Sequence, residues 1–377
     1  MTKPASIIPI EQPKTLLIGI HSPFNPISDI ESYYQEFKNL ALSNGVSTDH
    51  FITIKLRSID AANFLTQGKL DDVLELIKKE HIEEVIFSDA LSPQQERNLS
   101  RIFQCQVFDR TDLILEIFEK GAQSAEGKTQ VGLAMLQHQK SRLSGRGLYM
   151  SQQGGRIGTR GPGETQKEKE TQHIEHLMLK MRRDLEKLQK VRETQRKQRI
   201  SSELPLICLI GYTNAGKSTI LNALTKSSVL AEDKLFATLD TTTRELFIEK
   251  RKIGLISDTV GFIQQLPHKL IEAFKSTLSE LKYAHILLQV IDAADKNWQE
   301  HIQVVHDVLE ELGASDKPML YVFNKSDKLP NPEMSDFIFR NYQPHVLVSA
   351  TAEHGLDPLK NFLVEWKNNI SKSSVTE

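Results

Sequence analysis

The run Gly211-Tyr212-Thr213-Asn214-Ala215-Gly216-Lys217-Ser218 has the residue types and spacing of a phosphate-binding loop. It follows the apolar stretch Leu206 to Ile210 and precedes a helix-like stretch from Thr219 to Lys226, the strand, loop and helix context in which G-x-x-x-x-G-K-S binds a nucleotide. The glycines let successive backbone N–H groups turn inward around an anion. The helix N-terminus and the Lys217 ammonium add positive potential, and the Ser218 hydroxyl is a candidate ligand for Mg²⁺.

Further groups follow in the order a guanine-nucleotide site requires. Asp258-Thr259-Val260-Gly261 closes the apolar run Ile253 to Ser257, which puts a carboxylate at a strand end to hold a Mg²⁺ water and the Gly261 N–H where it meets a γ-phosphate. Asn324-Lys325-Ser326-Asp327 ends the strand-like Pro318 to Phe323, and the two Asp327 oxygens match the adjacent N–H groups on the edge of guanine. Adenine offers no such pair, so the motif favours GTP over ATP. Ser349-Ala350-Thr351 ends His345 to Val348, with backbone N–H groups for the guanine O6. Between the first two motifs lies Phe236-Ala237-Thr238-Leu239-Asp240, where Thr238 is the candidate switch threonine that completes the Mg²⁺ ligands with Ser218.

The hydrolytic group is unusual. Many GTPases place a glutamine after the glycine of Asp258-Thr-Val-Gly261 to orient water, but this chain has Phe262 and Ile263, so intrinsic hydrolysis is expected to be slow. The nearby Gln264 and Gln265 fit a solvated loop. The catalytic set is therefore Lys217, Thr238, Gly261 and Asn214, the last through an amide oxygen suited to a K⁺ ion beside the phosphates.

These groups need a rigid scaffold, and a chain of 377 residues with 39% apolar content is long enough for two or three cored domains. Cys105 and Cys208, both in strand-like runs, are the two cysteines, a usage that fits a reducing compartment and buried small hydrophobes. No stretch approaches about eighteen uninterrupted apolar residues, and Met-Thr-Lys-Pro lacks a signal-peptide core. A soluble intracellular protein is expected.

The net charge of −2 conceals an asymmetry: Lys128 to Arg199 holds 17 Lys/Arg against 7 Asp/Glu, a local +10, leaving −12 on the rest. Within it, Ser144-Gly-Arg-Gly147 and Gly154-Gly-Arg-Ile-Gly158-Thr-Arg-Gly-Pro-Gly163 alternate glycine and arginine with almost no acid. Such a loop presses backbone against a phosphate surface while arginines supply charge and stacking planes, which favours structured RNA over a merely solvated face. Ile174, Met178, Met181, Leu185 and Leu188 recur at spacings of four and three, a seam lasting to about Val191, and Val131, Leu133, Ala134, Leu136 and Leu143 form a weaker stripe. Two antiparallel helices sharing the seam would carry the loop at their tip, and Glu193 to Ser202 reads as a polar linker.

Upstream, strand-like Thr15 to Ile20, His50 to Leu56, Glu84 to Ser88 and Cys105 to Phe108 alternate with helical Asp29 to Asn44, Lys69 to Glu80, Pro93 to Phe103 and Thr111 to Lys120. That alternation predicts a parallel sheet covered by helices. Asp109-Arg110-Thr-Asp112 fits either a polar site or a helix cap with an ion pair. The fold class is thus α/β: an N-terminal parallel α/β domain (1–127), an antiparallel helical hairpin arm (128–200, tip 144–163) and a C-terminal P-loop GTPase domain with a doubly wound sheet (201–377).

Gln153-Gly-Gly-Arg-Ile-Gly-Thr-Arg-Gly-Pro-Gly-Glu-Thr-Gln166 resembles the signature of the HflX family of GTPases. The resemblance extends through Gly68-Lys-Leu, Leu91-Ser-Pro, Asp109-Arg-Thr-Asp-Leu-Ile-Leu, Gln130-Val, Phe236-Ala-Thr-Leu-Asp, Asp258-Thr-Val-Gly-Phe-Ile and Leu266-Pro, over roughly residues 15 to 370. It implies a cytoplasmic, monomeric GTPase with a peripheral membrane-associated fraction. It also implies binding to the large ribosomal subunit and the whole ribosome, with the tip reaching toward the peptidyl-transferase region and stalled ribosomes split or rescued under stress. Help in large-subunit assembly or RNA modification is the alternative, and a helical scaffold with a vestigial nucleotide site is disfavoured by the intact Lys217, Ser218, Asp258 and Asp327. Three departures stand out: Gly132 and Met135 replace an acidic residue and a glutamine, Thr241 replaces a frequent proline, and the chain ends soon after the helical Leu356 to Asn368. An interior glycine costs a helix up to about 1 kcal/mol relative to alanine, so a shorter or kinked first hairpin helix is expected.

Overall fold

The computed structural model describes residues 13–23, 27, 29–143, 162–200, 204–225, 235–236, 238–239, 241–267, 270, 279–330 and 339–373. Ala237, Asp240 and most of the glycine-arginine tip lie outside the described residues. The chain divides into two compact units, one of Met1–Ile117 with His138–Gln172 and one of Phe118–Gln137 with His173–Glu377.

The first unit holds a four-stranded sheet built from β1 (Thr15–His21), β2 (His50–Lys55), β3 (Glu84–Phe87) and β4 (Gln106–Asp109) in the order β2-β1-β3-β4, all parallel. The helices α1 (Ile30–Ser43), α2 (Gln67–Glu80), α3 (Pro93–Phe103) and α4 (Arg110–Gly121) alternate with the strands. Local chemistry sets the helix starts. Asp29 accepts from the backbone N–H groups of Glu31 and Ser32 at 3.1 Å each to cap α1, and Ser92 with Gln95 forms a reciprocal capping box before α3. Asp109 caps α4: one carboxylate oxygen accepts from Thr111 N (2.7 Å) and Asp112 N (3.2 Å), the other from Leu91 N (2.9 Å) and Arg142 Nη2 (2.8 Å). The Asp109 to Asp112 motif is therefore a helix cap with an ion pair. Leu16, Ile18, Ile20, Val85, Phe87 and Val107 form the core under α2 and α3.

α5 (Ala125–Leu143) runs 19 residues straight through Gly132, so the expected shortening does not occur. A Cβ on Gly132 would stand 3.0 Å from the Met181 methyl, which shows what the glycine does: it admits a side chain of α6 (Pro162–Ile200) against the backbone of α5. α6 itself spans 39 residues and includes Glu193 to Ile200 of the segment expected to be a linker, whose last two residues lie outside the described residues. The reason is compositional, since Glu193-Thr-Gln-Arg-Lys-Gln-Arg-Ile200 contains neither glycine nor proline and is rich in strong helix formers. Of the seam residues, Ile174 and Met178 are buried, whereas Val191 is 56% exposed, so the seam ends earlier than its periodicity suggests.

The second unit holds a six-stranded sheet of β5 (Leu206–Gly211), β6 (Thr242–Ile248), β7 (Arg251–Asp258), β8 (Ile286–Asp292), β9 (Met319–Asn324) and β10 (His345–Leu347), in the order β10-β9-β8-β5-β7-β6. β6 pairs antiparallel with β7 and the rest are parallel. With it go α7 (Lys217–Thr225), α8 (Trp298–Leu312) and α9 (Asp357–Ser373). Ile207, Leu209, Ile256, Leu288 and Val322 are buried against α7 and α9 side chains such as Ile220, Leu221, Leu359 and Leu363. Each such side chain taken out of water contributes roughly 1.5–3 kcal/mol before conformational entropy is subtracted. The parallel strands all end at one edge, which places Gly211, Asp258 and Asn324 together there, the usual position of a ligand in an open α/β sheet.

Among the described residues, no helix is long and apolar enough to cross a membrane. Cys208 is buried in β5, while Cys105 lies in the turn before β4 and is half-buried; both are free thiols.

Candidate nucleotide-binding site

The loop leaves β5 at Gly211, whose φ of +146° and close approach to the Val290 carbonyl exclude any side chain. It re-enters the helix at Gly216 with φ +97°, and Asn214 between them sits at φ +60°. A backbone β-bridge joins the loop to the turn after β7, with Thr213 N donating to Phe262 O (2.8 Å) and Phe262 N to Gly211 O (3.2 Å). The bridge aligns Gly261 with the loop: a Cβ there would lie 2.8 Å from Thr213 Cγ2 and 2.9 Å from Lys217 Nζ. Only glycine fits where these three residues meet.

Tyr212 anchors the loop from its other side. Its ring stacks on His301 of α8 at 3.8 Å and 11°, and its hydroxyl accepts from Gln264 N at 2.8 Å. Phe262 is 1% exposed, so the residue standing where many GTPases have glutamine is a core side chain. Val260 and Ile263 are buried beside it, and the Thr259 hydroxyl donates to Leu209 O at 2.7 Å.

Lys217 is buried at the start of α7, where its ammonium donates to Tyr212 O (2.8 Å) and Gly211 O (3.2 Å). Burial pulls its pKa down to about 8, against the opposing attraction of Asp258. Asp258 is raised above the ordinary carboxylate value by burial, with Lys217 and the Ser218 hydroxyl working the other way. Phosphate binding requires the ammonium, so above pH 8 a proton must be taken up with the nucleotide. GTP affinity is therefore expected to be level from about pH 6.5 to 7.5 and to fall through pH 8 to 9, approaching tenfold per pH unit. Titrating a fluorescent GTP analogue across that range checks it, and Lys217→Met should bind weakly with the slope removed.

The Ser218 hydroxyl is 2.6 Å from Thr238 Oγ1 and donates to Asp258 Oδ2 at 2.6 Å. The other carboxylate oxygen, Asp258 Oδ1, is buried with no hydrogen-bond partner among the described residues. Three hard oxygen groups around an unsatisfied buried acceptor fit Mg²⁺ with part of its water shell. Phe236 and Leu239 of the same segment take a different part, for they are buried at the end of α4. The Phe236 ring meets Phe118 edge-on at 4.7 Å, and a Cβ on Gly121 would lie 3.9 Å from both Leu239 Cβ and the Phe236 carbonyl oxygen. Nothing in the spacing of Phe236-Ala-Thr-Leu-Asp240 signals that contact.

The base-side groups are tied to the loop. The Asn324 amide nitrogen donates to Ala215 O (2.9 Å), and its oxygen accepts from Ala350 N (3.1 Å). Asn324 thus links three of the sequence motifs. Lys325, at φ +64°, turns the chain and pairs with Asp292 at 2.7 Å. Ser326 and Asp327 follow in a single 3₁₀ turn, where Asp327 accepts from the Ser349 hydroxyl; Thr351 Oγ1 lies 3.4 Å from the same serine oxygen.

A phosphate loop, an all-oxygen cation cluster and an aspartate held beside a small-residue loop at one sheet edge define a P-loop GTPase. The comparisons agree with that class and narrow it. Residues 31–119 match the family described as GTP-binding GTPase N-terminal, 121–199 the GTP-binding GTPase Middle Region, and 206–325 the 50S ribosome-binding GTPase. The chain is 42% identical over 329 residues to the GTPase HflX of Caldanaerobacter subterraneus subsp. tengcongensis, covering 87% of this chain and 76% of that one. It is also 42% identical over 347 residues to the GTPase HflX of Escherichia coli, covering 92% and 81%. A crystal structure of SsGBP with GDP superposes with a TM-score of 0.53 at 23% identity, over 95% of this chain and 99% of that one, a likeness of fold. The chain belongs to the HflX family of GTPases and hydrolyses GTP to GDP and phosphate.

Proposed function

We propose that this chain binds the large ribosomal subunit and uses the GTP cycle to split or rescue stalled ribosomes under stress. The observation that carries the reading is the charge of +10 confined to Lys128 to Arg199 of an otherwise acidic chain. Phosphate-rich surfaces attract such a segment, and α6 holds part of it in a 39-residue helix whose described charged side chains, from Glu168 to Lys190, are largely exposed. The family matched by residues 206–325, described as a 50S ribosome-binding GTPase, supports the same partner. In this reading residues 1–127, 128–200 and 201–377 are an α/β domain, an RNA-binding arm and a GTPase domain. The protein acts as a cytoplasmic monomer.

The site residues then divide the work. Lys217 neutralises the β- and γ-phosphates, the backbone N–H groups from Asn214 to Ser218 and of Gly261 surround them, and Asp327 with the Ser349 to Thr351 loop reads guanine. Ser218 and Thr238 hold Mg²⁺, with Asp258 behind them. When bound, that ion neutralises charge on the transferring phosphoryl group. Asn214 offers its amide oxygen to a K⁺ ion beside the loop. Since Phe262 brings no water-orienting group, intrinsic turnover is slow and the ribosome completes the site, by analogy with the roughly 10³ to 10⁵-fold gain a partner supplies elsewhere.

Sedimentation of 70S ribosomes with the full chain and a non-hydrolysable GTP analogue tests the reading. Separation into subunits that depends on the analogue is the expected result, accompanied by GTP turnover that rises steeply with large subunits and is faster in K⁺ than in Na⁺. Binding to a subunit precursor instead would favour the assembly role, and sedimentation indifferent to nucleotide would remove both.

A further inference from the structure

Thr213 occupies the third position of the phosphate loop, and its hydroxyl is the one polar side-chain atom of the described loop and switch residues, besides Asp258 Oδ1, left buried without a hydrogen-bond partner. The residue is 6% exposed, more than nine-tenths buried. A hydroxyl enclosed without a partner loses its bonds to water and gains none, a penalty a valine there would avoid. Packing therefore gives no reason for the oxygen.

Its location suggests one. Thr213 Cγ2 and Lys217 Nζ converge within 2.8 and 2.9 Å of the same point beside Gly261, and the Thr213 backbone N–H is fixed to Phe262 O at 2.8 Å. The Thr213 methyl therefore packs against Gly261, which faces the γ-phosphate, and the Thr213 backbone is bonded to Phe262, which replaces the water-orienting glutamine, so the hydroxyl on the same Cβ lies one bond from that junction. Phe262 is turned into the core and held there by the bridge, so its side chain contributes no polar group to that space.

We propose that Thr213 Oγ1 accepts a hydrogen bond from the attacking water and is a catalytic residue of GTP hydrolysis in this chain. Lys217 leaves the Gly211 and Tyr212 carbonyls as its ammonium is drawn to the phosphates, which opens the space beside the hydroxyl to one water. The water oxygen forms the new bond to Pγ. The bond from Pγ to the β–γ bridging oxygen breaks with its electron pair on GDP, and a water proton passes to an oxygen of the released phosphate. Thr213 keeps its own proton and takes none; it fixes the direction of attack.

Single-turnover hydrolysis by the full chain, with and without large ribosomal subunits, tests this in Thr213→Val, which keeps the methyl against Gly261 and removes only the hydroxyl. Turnover at saturating GTP is expected to fall about a hundredfold, the low end of the range for losing one preorganised polar contact. Affinities for GTP and GDP should stay within about twofold, and Thr213→Ser should recover most of the lost rate. Hydrolysis by Thr213→Val at the wild-type rate would overturn the proposal. So would a loss of GTP affinity with GDP affinity unchanged, which would make the hydroxyl a ground-state γ-phosphate ligand. A parallel drop of Tm and rate in the valine and serine variants alike would leave it a packing residue. GDP binding by each variant establishes that the nucleotide site itself is intact.

Discussion

Asp327→Asn is expected to exchange guanine for xanthine as the preferred base, with GTP affinity falling by at least about a hundredfold. A site built to pair with substrate N–H groups rejects an unmatched partner by large factors because buried polar groups are left unpaired. Asp327 follows β9 in a 3₁₀ turn, and the Ser349 hydroxyl donates to one of its carboxylate oxygens. In the variant that hydroxyl is best satisfied by the amide oxygen, which directs the new NH₂ group at the base. Facing guanine, the NH₂ opposes two donors; facing xanthine, it meets the C2 carbonyl oxygen. Competition of GTP and xanthosine triphosphate for a fluorescent GDP analogue measures the exchange. If Asp327→Asn binds GTP as the parent does, the base pocket lies elsewhere, and if it binds neither nucleotide while its Tm is unchanged, the pairing geometry assigned to Asp327 is wrong.

That prediction was available from the motif, whereas the reason the motif stands where it does was not. The glycine loop, Asp258-Thr-Val-Gly261 and Asn324-Lys-Ser-Asp327 announce themselves because each follows an apolar run that ends abruptly, and such runs become parallel strands with a common C-terminal edge. Local spacing also located the helices of the first unit, where caps such as Ser92 and Asp109 sit one turn before an amphipathic stretch. Other elements carried weaker signals. β6, β8 and α8 were not singled out, although Leu246, Phe247 and Ile248 alternate buried, exposed and buried and Ile286–Asp292 is a nearly continuous apolar run. Gly132 misled for a physical reason: helix propensity counts its entropy but not the Met181 side chain that packs where a Cβ would crowd it. Over Glu193 to Ile200 the expected linker is helix instead, because polarity was taken for irregularity, when Arg, Lys, Gln and Glu are among the best helix formers.

Tertiary ties were the least legible. Tyr212 stacked on His301 and Phe236 against Phe118 each join residues far apart in sequence, and neither partner has a type that demands the other. The same holds for Asn324, which opens the motif that carries the base-reading Asp327. In the fold both ends of its amide are engaged by backbone, at Ala215 O and Ala350 N, so it sets the distance between the phosphate loop and the base loop.

The second large effect follows from that tie. Replacing Gly216 with alanine is expected to abolish measurable nucleotide binding, because two separate penalties fall on one residue. Its φ of +97° lies where an alanine is strained, at a cost of order 1–3 kcal/mol. The new methyl would also collide with Asn324 Nδ2, the atom that donates to Ala215 O. The side chain cannot retreat freely, since Asn324 is 2% exposed and its oxygen is held by Ala350 N. The clash is therefore relieved by moving the loop, the asparagine or both, and each movement breaks the alignment of phosphate and base sites. The two penalties can be separated. Asn324→Gly alone removes the tie and should weaken GDP binding, whereas Gly216→Ala combined with Asn324→Gly removes the collision and leaves only backbone strain. The double variant should then bind GDP better than Gly216→Ala alone, and the coupling in that cycle measures the collision. Equal loss of binding in the single and double variants would mean that the conformation at Gly216, and not its contact with Asn324, is what the site requires.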